Sequence, residues 1–240
     1  MAKKQGKKFI KITLYLIKIC IRDYQLNYLI TGGCGFIGSR LIKVLCKEPN
    51  SLIRVIDNLS VGEKKNLHEH NKFKLLSSSN CHKSKVKKQL IINDIRNKKV
   101  CLEVTRNIDV IIHLAANTKI TKSLKNPFYD FNNNLKSTLN LLEGCKVNNV
   151  KRFVFASSAA IGGNVKPPIN EEIVPKPISP YGASKLGGEA YCSTFYETFN
   201  IETIILRFGN VYGPGSLNKT SVVSKFIKNI IENKILTVYG

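Results

Sequence analysis

The strongest constraint on the fold of this chain is a glycine-rich turn, TGGCGFIGS, which runs from Thr31 to Ser39. An apolar run, Tyr28-Leu29-Ile30, precedes it, and an apolar stretch of helical periodicity follows it. This order predicts a strand, a turn and a helix. Glycine in the turn lets a phosphate reach the backbone, and the helix N-terminus offers N–H groups and the positive end of its dipole. The glycines stand in the order G-x-x-G-x-x-G at Gly32, Gly35 and Gly38.

An acidic residue ends the next apolar run. Asp57 follows Leu52–Ile56 and lies about 20 residues past the glycines, where dinucleotide folds place a carboxylate on the adenosine ribose hydroxyls. A carboxylate there repels a 2′-phosphate, so the pattern favours NAD over NADP. A tight turn without a ligand, followed by an aspartate that caps the next turn, is the alternative. The combined spacing favours cofactor binding.

Short apolar runs alternate with helical patterns along most of the chain. We predict strands at 28–31, 52–57, 90–93, 109–114, 152–157 and 202–208, and helices at 36–46, 97–105, 135–147 and 180–199. The stretch 63–88 is expected to be a surface loop or an irregular crossover. Continuous apolar strands between helices are typical of a parallel sheet covered on both faces. The predicted fold class is therefore α/β, a Rossmann-type doubly wound parallel sheet with helices on both faces.

The two ends of the chain differ from this pattern. Residues 1–26 form a basic and apolar extension, whose apolar run at 9–21 is interrupted by lysines and is too short for a membrane span. Residues 27–240 are expected to form a cofactor-binding domain with the beginning of a substrate lobe. A helix at 221–233 and the beginning of a strand at 235–239 precede the last residue, Gly240. We expect the front portion of a longer protein, with most of a small C-terminal substrate lobe missing.

The composition adds limits on partners and location. The formal net charge is +22, which raises the possibility of a nucleic-acid partner, but the lysines are spread over most elements. We expect no nucleic-acid partner and no membrane span. The seven cysteines include no C-x-x-C pair and no metal-ligand spacing. Reduced thiols in a cytoplasmic protein without a metal site are therefore expected.

A tyrosine and a lysine four residues apart form the candidate chemical site. Tyr181 and Lys185 share one face of a predicted helix, and Pro180 suits its first position. An ammonium beside a phenol lowers the phenol pKa and prepares a general base for a hydroxyl group. Ser157 and Ser158 end a strand where ligands bind in open α/β sheets. Either serine could cap the next turn; we assign Ser158 to steady the reacting oxygen.

A family resemblance covers about 27–240. The matching segments are TGGCGFIGS, IDNLSVG, NDIR, HLAANT, NLKSTLNLLE, FASSAA, SPYGASK and LRFGNVYGPG. In this order they resemble the extended short-chain dehydrogenase/reductases, the group of NAD-dependent sugar-nucleotide epimerases and dehydratases. Within it, IDNLSVG and HLAANT are similar to UDP-glucose 4-epimerase and its relatives.

The resemblance implies a role for each matching position. The pyrophosphate would be held by Gly32, Gly35, Phe36, Ile37 and Gly38. Asp57 and Asn58 would lie at the adenosine ribose, and Asp94 and Ile95 at the adenine. The cofactor would be lined by Leu114, Ala115, Ala116 and Asn134, and it would also contact Tyr181 and Lys185. The catalytic residues would be Ser158, Tyr181 and Lys185, and Ser158 and Asn210 would bind substrate.

The resemblance also implies a reaction, NAD-dependent epimerisation at C4 of a UDP-sugar through a 4-keto intermediate. The 4,6-dehydratases carry an Asp-Glu pair after the catalytic hydroxyl residue, where this chain has Ala159 and Ala160. Dehydration is therefore disfavoured. The alternatives are a decarboxylase, reductase or dehydratase acting on a related sugar nucleotide, and a truncated NAD-binding remnant without catalysis. Members of this family often form homodimers, so a homodimer is expected.

Overall fold

The computed structural model describes residues 26–48, 50–68, 72–166, 168–213, 215–216 and 222–236. The predicted N-terminal extension lies outside these residues, except for its last position. The described residues up to Gly209 form one compact unit, and those from Asn210 onward belong to a second unit. The predicted division into an extension and one cofactor-binding domain with part of a lobe stays a prediction.

A sheet of parallel strands forms the centre of the larger unit. The described strands are β1 Tyr28–Thr31, β2 Ile53–Asp57, β3 Lys74–Leu75, β4 Lys88–Ile92, β5 Val110–His113, β6 Arg152–Ser158 and β7 Glu202–Phe208. Their order across the sheet is β3-β4-β2-β1-β5-β6-β7. The predicted doubly wound α/β fold is confirmed, because the chain builds outward from β1 in both directions. Among these described strands, only the short edge strand β3 was not predicted.

Helices connect the strands. The α-helices are α1 Phe36–Leu45, α2 Lys65–His68, α3 Lys98–Val104, α4 Ile120–Lys125, α5 Pro127–Phe131, α6 Ser137–Asn148, α7 Pro180–Phe199 and, in the second unit, α8 Val222–Ile231. A π-helical turn at Asn132–Lys136 joins α5 to α6, so the helix predicted from 135 begins two residues later. The stretch predicted as an irregular crossover contains α2, β3 and a 3-10 turn at Cys81–Lys83.

The core explains the continuous apolar runs of the sequence. All residues of β1, β2 and β5 are buried, because helices cover both faces of the sheet. One buried cluster joins Leu29, Ile111 and Phe153 of neighbouring strands to side chains of α3, α6 and α7. Each fully buried apolar side chain of this kind stabilises the fold by about 1.5–3 kcal/mol. This packing fixes the register of the strands and therefore the positions of the residues at their carboxyl ends.

The strand order places the candidate residues at one edge. β1 lies between β2 and β5, and the later strands on either side continue away from it. This is the switch point at which ligands bind beyond the carboxyl ends of strands. Asp57, His113 and Ser158 end three parallel strands at that edge.

The second unit contains α8, in agreement with the helix predicted at 221–233. A strand was predicted at 235–239. Its first two residues, Ile235 and Leu236, have no regular structure, and the others lie outside the described residues. None of the helices in the described ranges is long and apolar enough to cross a lipid bilayer.

Candidate active site

The glycine turn closely follows the end of β1. Gly32 has a φ of +67°, and a Cβ at this position would lie 2.8 Å from the backbone nitrogen of Ala115. A Cβ on Gly38 would lie 2.5 Å from the carbonyl oxygen of Gly32, so α1 packs directly on the turn. Gly35 is the N-cap of α1 and brings no side chain to the helix end. A backbone cradle of this kind, at a helix N-terminus, fits a pyrophosphate.

The Asp57 carboxylate is hydrogen-bonded to the backbone of Cys34, in the middle of the glycine turn. Its Oδ2 accepts a hydrogen bond of 2.9 Å from the backbone N–H of Cys34, and its Oδ1 accepts one of 2.8 Å from the N–H of Leu59. The Asn66 side chain donates to the Cys34 carbonyl at 2.8 Å. Burial raises the pKa of Asp57, although these backbone hydrogen bonds act to lower it. Burial, and next the charge of Asp57, raise the pKa of the Cys34 thiol to about 12, so this cysteine stays protonated.

Asn58, Asp94 and Arg96 form a polar group after β2 and β4. Asn58 donates to Asp94 at 3.0 Å, and Arg96 donates to both oxygens of Asp94 at 2.9 and 2.7 Å. Burial acts to raise the pKa of Asp94, but the hydrogen bonds from Arg96 and Asn58 outweigh it and lower the pKa to about 2. The adjacent Ile95 is buried, and its carbonyl accepts a hydrogen bond from Asn140 at 3.0 Å. Asn58, predicted for the ribose, and Asp94, predicted for the adenine, are thus hydrogen-bonded to each other.

A hydrogen-bonded histidine supports the loop after β5. The Ala115 N–H donates to Thr31 Oγ1 at 3.1 Å, and Thr31 Oγ1 lies 2.7 Å from His113 Nδ1. On the other side, His113 Nε2 lies 3.0 Å from Thr138 Oγ1, which donates to the Asn134 carbonyl at 2.6 Å. The donors and acceptors are satisfied when His113 is neutral and carries its proton on Nε2. Burial, and next the charge of Lys185, lower the pKa of His113 to about 3.

Asn134 lies in the π-helical turn, where irregular helix geometry often accompanies a functional site. Its Oδ1 accepts from the Asn117 N–H at 2.8 Å, and its Nδ2 donates to the Asn117 carbonyl at 3.1 Å. The same Nδ2 also lies within hydrogen-bonding distance of Asp130 and Ser184. Asn134 therefore holds the backbone that follows Leu114, Ala115 and Ala116, all partly buried. Direct contact of Asn134 with a cofactor stays a prediction.

Tyr181 and Lys185 lie in the first turns of α7, as predicted. Ser179 caps this helix, and Pro180 occupies its first position. The Tyr181 N–H donates to Ser123 of α4 at 3.2 Å, and Ser158 at the end of β6 acts to lower the pKa of the Tyr181 phenol. Lys185 is buried and donates to the carbonyl of Ala156 at 2.7 Å. The three residues assigned to catalysis are thus brought to the edge of the sheet where β5 and β6 end.

The pKa of Tyr181 moves opposite to the direction expected from the sequence. Burial raises it, Ser158 acts to lower it, and the charge of Asp130 raises it further. Burial also lowers the pKa of Lys185 to about 8, while Asp130 and Cys192 act to raise it. Tyr181 is therefore not made acidic in this site, because burial and the charge of Asp130 both disfavour the phenolate.

Sequence reasoning missed most of the residues that hold the site in shape. The missed residues are Asn66, Thr31, His113, Asn117, Asp130, Thr138 and Ser184. HLAANT and SPYGASK contain three of them, so motif position was the available signal. Asn210 begins the second unit and is exposed, so its predicted contact with substrate stays a prediction. The described residues contain no group of three or more histidine, cysteine, aspartate or glutamate residues that could hold a metal ion.

Comparisons with known proteins agree with this geometry. The model of the NAD dependent epimerase/dehydratase family matches residues 28–240. A UDP-glucuronate 4-epimerase of Thermodesulfobacterium geofontis is 35% identical over 89% of the chain and 64% of its own length. A dTDP-D-glucose 4,6-dehydratase of Dictyostelium discoideum is 33% identical over 88% of the chain and 50% of its own length. The crystal structure of a UDP-glucose 4-epimerase of Thermus thermophilus in complex with NAD has a TM-score of 0.74 and 31% identity, over 90% of this chain and 66% of that one. The chain thus spans at most about two thirds of the length of these relatives.

Proposed function

Because the chain belongs to the NAD dependent epimerase/dehydratase family and NAD is its cofactor, we propose that it epimerises a UDP-sugar at C4. The observation that carries the proposal is the attachment of α7 to the carboxyl end of β6: the buried Lys185 donates to the Ala156 carbonyl at 2.7 Å, two residues before Ser158 ends the strand. Lys185 lies one helical turn from Tyr181 on the same helix. The glycine turn and Asp57 fit a dinucleotide at the neighbouring strands.

The residues divide the chemistry between them. Tyr181 takes the proton of the substrate 4-hydroxyl and later returns it, while Ser158 hydrogen-bonds the same oxygen. Lys185 supplies a positive charge one helical turn from the phenol and would be among the residues that hold NAD. NAD, when bound, would supply the group that exchanges a hydride with C4 and a positive charge that favours the phenolate of Tyr181. The burial of Tyr181 and Lys185 keeps water from the proton transfer.

Ala159 and Ala160 favour epimerisation over dehydration. They occupy a 3-10 turn directly after Ser158, whose Oγ accepts a hydrogen bond of 3.2 Å from the Ala160 N–H. The Asp-Glu pair by which 4,6-dehydratases eliminate water is thus replaced by side chains that exchange no proton. A 4,6-dehydratase is nevertheless the second candidate, because a relative of that name is 33% identical.

The test is incubation of the purified protein with UDP-glucose, UDP-galactose, UDP-glucuronate and the N-acetylated UDP-sugars, followed by analysis of the released sugars. We expect C4 epimers in at least one case and loss of turnover by about a hundredfold or more in Tyr181→Phe. Tyr191→Phe, an exposed tyrosine on the same helix, is the matched control and should retain activity. Appearance of a 4-keto-6-deoxy product would instead establish the dehydratase.

Two other outcomes would change the proposal. Decarboxylation or net reduction of a sugar nucleotide would assign another reaction to the same site. NAD binding in a calorimetric titration without turnover of any sugar nucleotide would show a cofactor-binding protein without catalysis.

The proposal includes a homodimer, as expected from the resemblance. Tyr196 and Phe199 are three positions apart and exposed on α7, which gives that helix an apolar surface for a second copy. Light scattering coupled to size-exclusion chromatography would reveal the mass of the assembly, and a monomer at micromolar concentration would contradict it.

A further inference from the structure

A buried carboxylate beside the catalytic pair has no place in the reaction described above. Asp130 lies in the short helix α5 and is fully buried. Burial of a carboxylate is costly unless its oxygens are hydrogen-bonded. The hydrogen-bond donors around Asp130 therefore show how the buried carboxylate is stabilised.

Both oxygens of Asp130 accept hydrogen bonds. Asn117 and Asn134 donate to Oδ1 at 2.9 and 3.1 Å, and Ser184 donates to Oδ2 at 2.7 Å. These donors come from the loop after β5, from the π-helical turn and from α7. Asp130 thus connects the loop that lines the cofactor to the helix that carries Tyr181 and Lys185.

The contact with Ser184 is the important one. Ser184 directly precedes Lys185, and its Oγ also lies 2.9 Å from the carbonyl oxygen of Tyr181. A carboxylate attached to this residue fixes the rotation of the first turn of α7 relative to the end of β6. It also places a negative charge near both members of the pair, since the charge of Asp130 acts on Tyr181 and on Lys185.

We propose that Asp130 is a positioning residue that fixes the first turn of α7 through Ser184 and places a buried negative charge beside the turn that carries Tyr181 and Lys185. The inference deepens the proposed function and rests on it. Burial acts to lower the pKa of Lys185, and the charge of Asp130 acts against it and raises that pKa. The same charge restrains ionisation of Tyr181 until another positive charge is bound.

The other groups that face the pair are few among the described residues. Ser158 of β6 acts to lower the pKa of the phenol, and Lys185 is contacted by the Ala156 carbonyl and the face of the Phe155 ring. His113 of β5 and Cys192 of α7 are the remaining titratable groups there that interact with Lys185. His113 is neutral above about pH 3 and burial raises the pKa of Cys192 to about 12. Near neutral pH, His113 and Cys192 therefore carry no charge, and the substitution Asp130→Asn tests the effect of the Asp130 charge on the pair.

The first experiment is an ultraviolet titration of the phenolate of Tyr181, isolated as the difference between each protein and the same protein carrying Tyr181→Phe. Asp130→Asn keeps the shape and removes the charge, and we expect the midpoint of Tyr181 to fall by about one pH unit. Glu197→Gln removes an exposed charge from α7 and should not move it. An unchanged midpoint in Asp130→Asn would overturn the role of the charge.

The second experiment separates position from charge and does not depend on the folding of the Asp130 variant. Ser184→Ala retains the carboxylate and cuts its bond to α7. We expect kcat to fall about tenfold with KM and the Tyr181 midpoint unchanged, since misplacement of a catalytic group slows the reaction. An unchanged kcat would overturn the positioning role. If the unmodified protein turns over no UDP-sugar, the proposed function fails, and the Tyr181 titration still decides whether Asp130 governs the pair.

Discussion

The carboxylate of Asp57 accepts a hydrogen bond of 2.9 Å from the backbone N–H of Cys34, in the middle of the glycine turn. The end of β2 and the turn after β1 are therefore held together by this hydrogen bond. A residue assigned to the adenosine ribose also fixes the backbone assigned to the pyrophosphate. Ligand affinity at the two positions should accordingly change together.

Asp57→Ala should weaken NAD binding by at least about tenfold, because it removes the ribose acceptor and releases the Cys34 N–H. Isothermal titration calorimetry would measure the change. Ser60→Ala, an exposed position on the same loop, should bind NAD like the unmodified protein. Equal affinity in Asp57→Ala would refute the assignment of Asp57.

Gly38→Ala should destabilise the protein by about 1–3 kcal/mol and abolish measurable NAD binding, because the new methyl group would push α1 away from the turn. Its Cβ would lie 2.6 Å from the Cα of Gly33. Gly209→Ala is the matched control, since nothing lies within 4 Å of a Cβ there. Urea unfolding and an NAD titration would check both variants, and a fully stable Gly38→Ala would contradict the packing argument.

His113 should make the protein sensitive to mild acid. Its folded pKa, about 3, lies below its ordinary value of 6.5. The unfolded chain therefore binds the proton more readily than the folded protein. The neutral histidine contributes its full stabilisation at pH values above 6.5, and this contribution is lost as the pH falls from there towards 3. Between pH 7 and pH 5 this group should cost about 2 kcal/mol of unfolding free energy. In His113→Gln the loss over this interval should be smaller by that amount; an equal loss would assign the acid sensitivity to other groups.

Arg54 should be a major contributor to stability despite its charge. It is buried in β2, and its guanidinium donates to the carbonyls of Val104 and Arg106 at 2.7 and 2.8 Å, at the C-terminal end of α3. A positive charge at this position interacts favourably with the negative end of the helix dipole. Arg54→Met should lower the unfolding free energy by about 3 kcal/mol, since it leaves buried acceptors without donors. Arg106→Met, on an exposed side chain, should change it by less than about 0.5 kcal/mol; similar effects of the two changes in urea unfolding would contradict this view.

The amino-acid sequence alone determined the fold class, because glycine spacing and the alternation of apolar strands with helical patterns depend on local geometry. Strands β1 and β7 and helix α7 have the predicted bounds. The same local rules placed Tyr181 and Lys185 on one helical face and Asp57 at a strand end. These are properties of neighbours along the chain, so sequence spacing suffices to find them.

Only the tertiary structure decided the electrostatics and the support of the site. The link between Asp57 and Cys34 spans 23 residues, and that between Asp130 and Ser184 spans 54. No periodicity predicts such pairs, because they depend on which loops the sheet brings together. The direction of the Tyr181 pKa was wrong for the same reason: the sequence showed a lysine four residues away, whereas the desolvation that outweighs it arises from packing by distant segments.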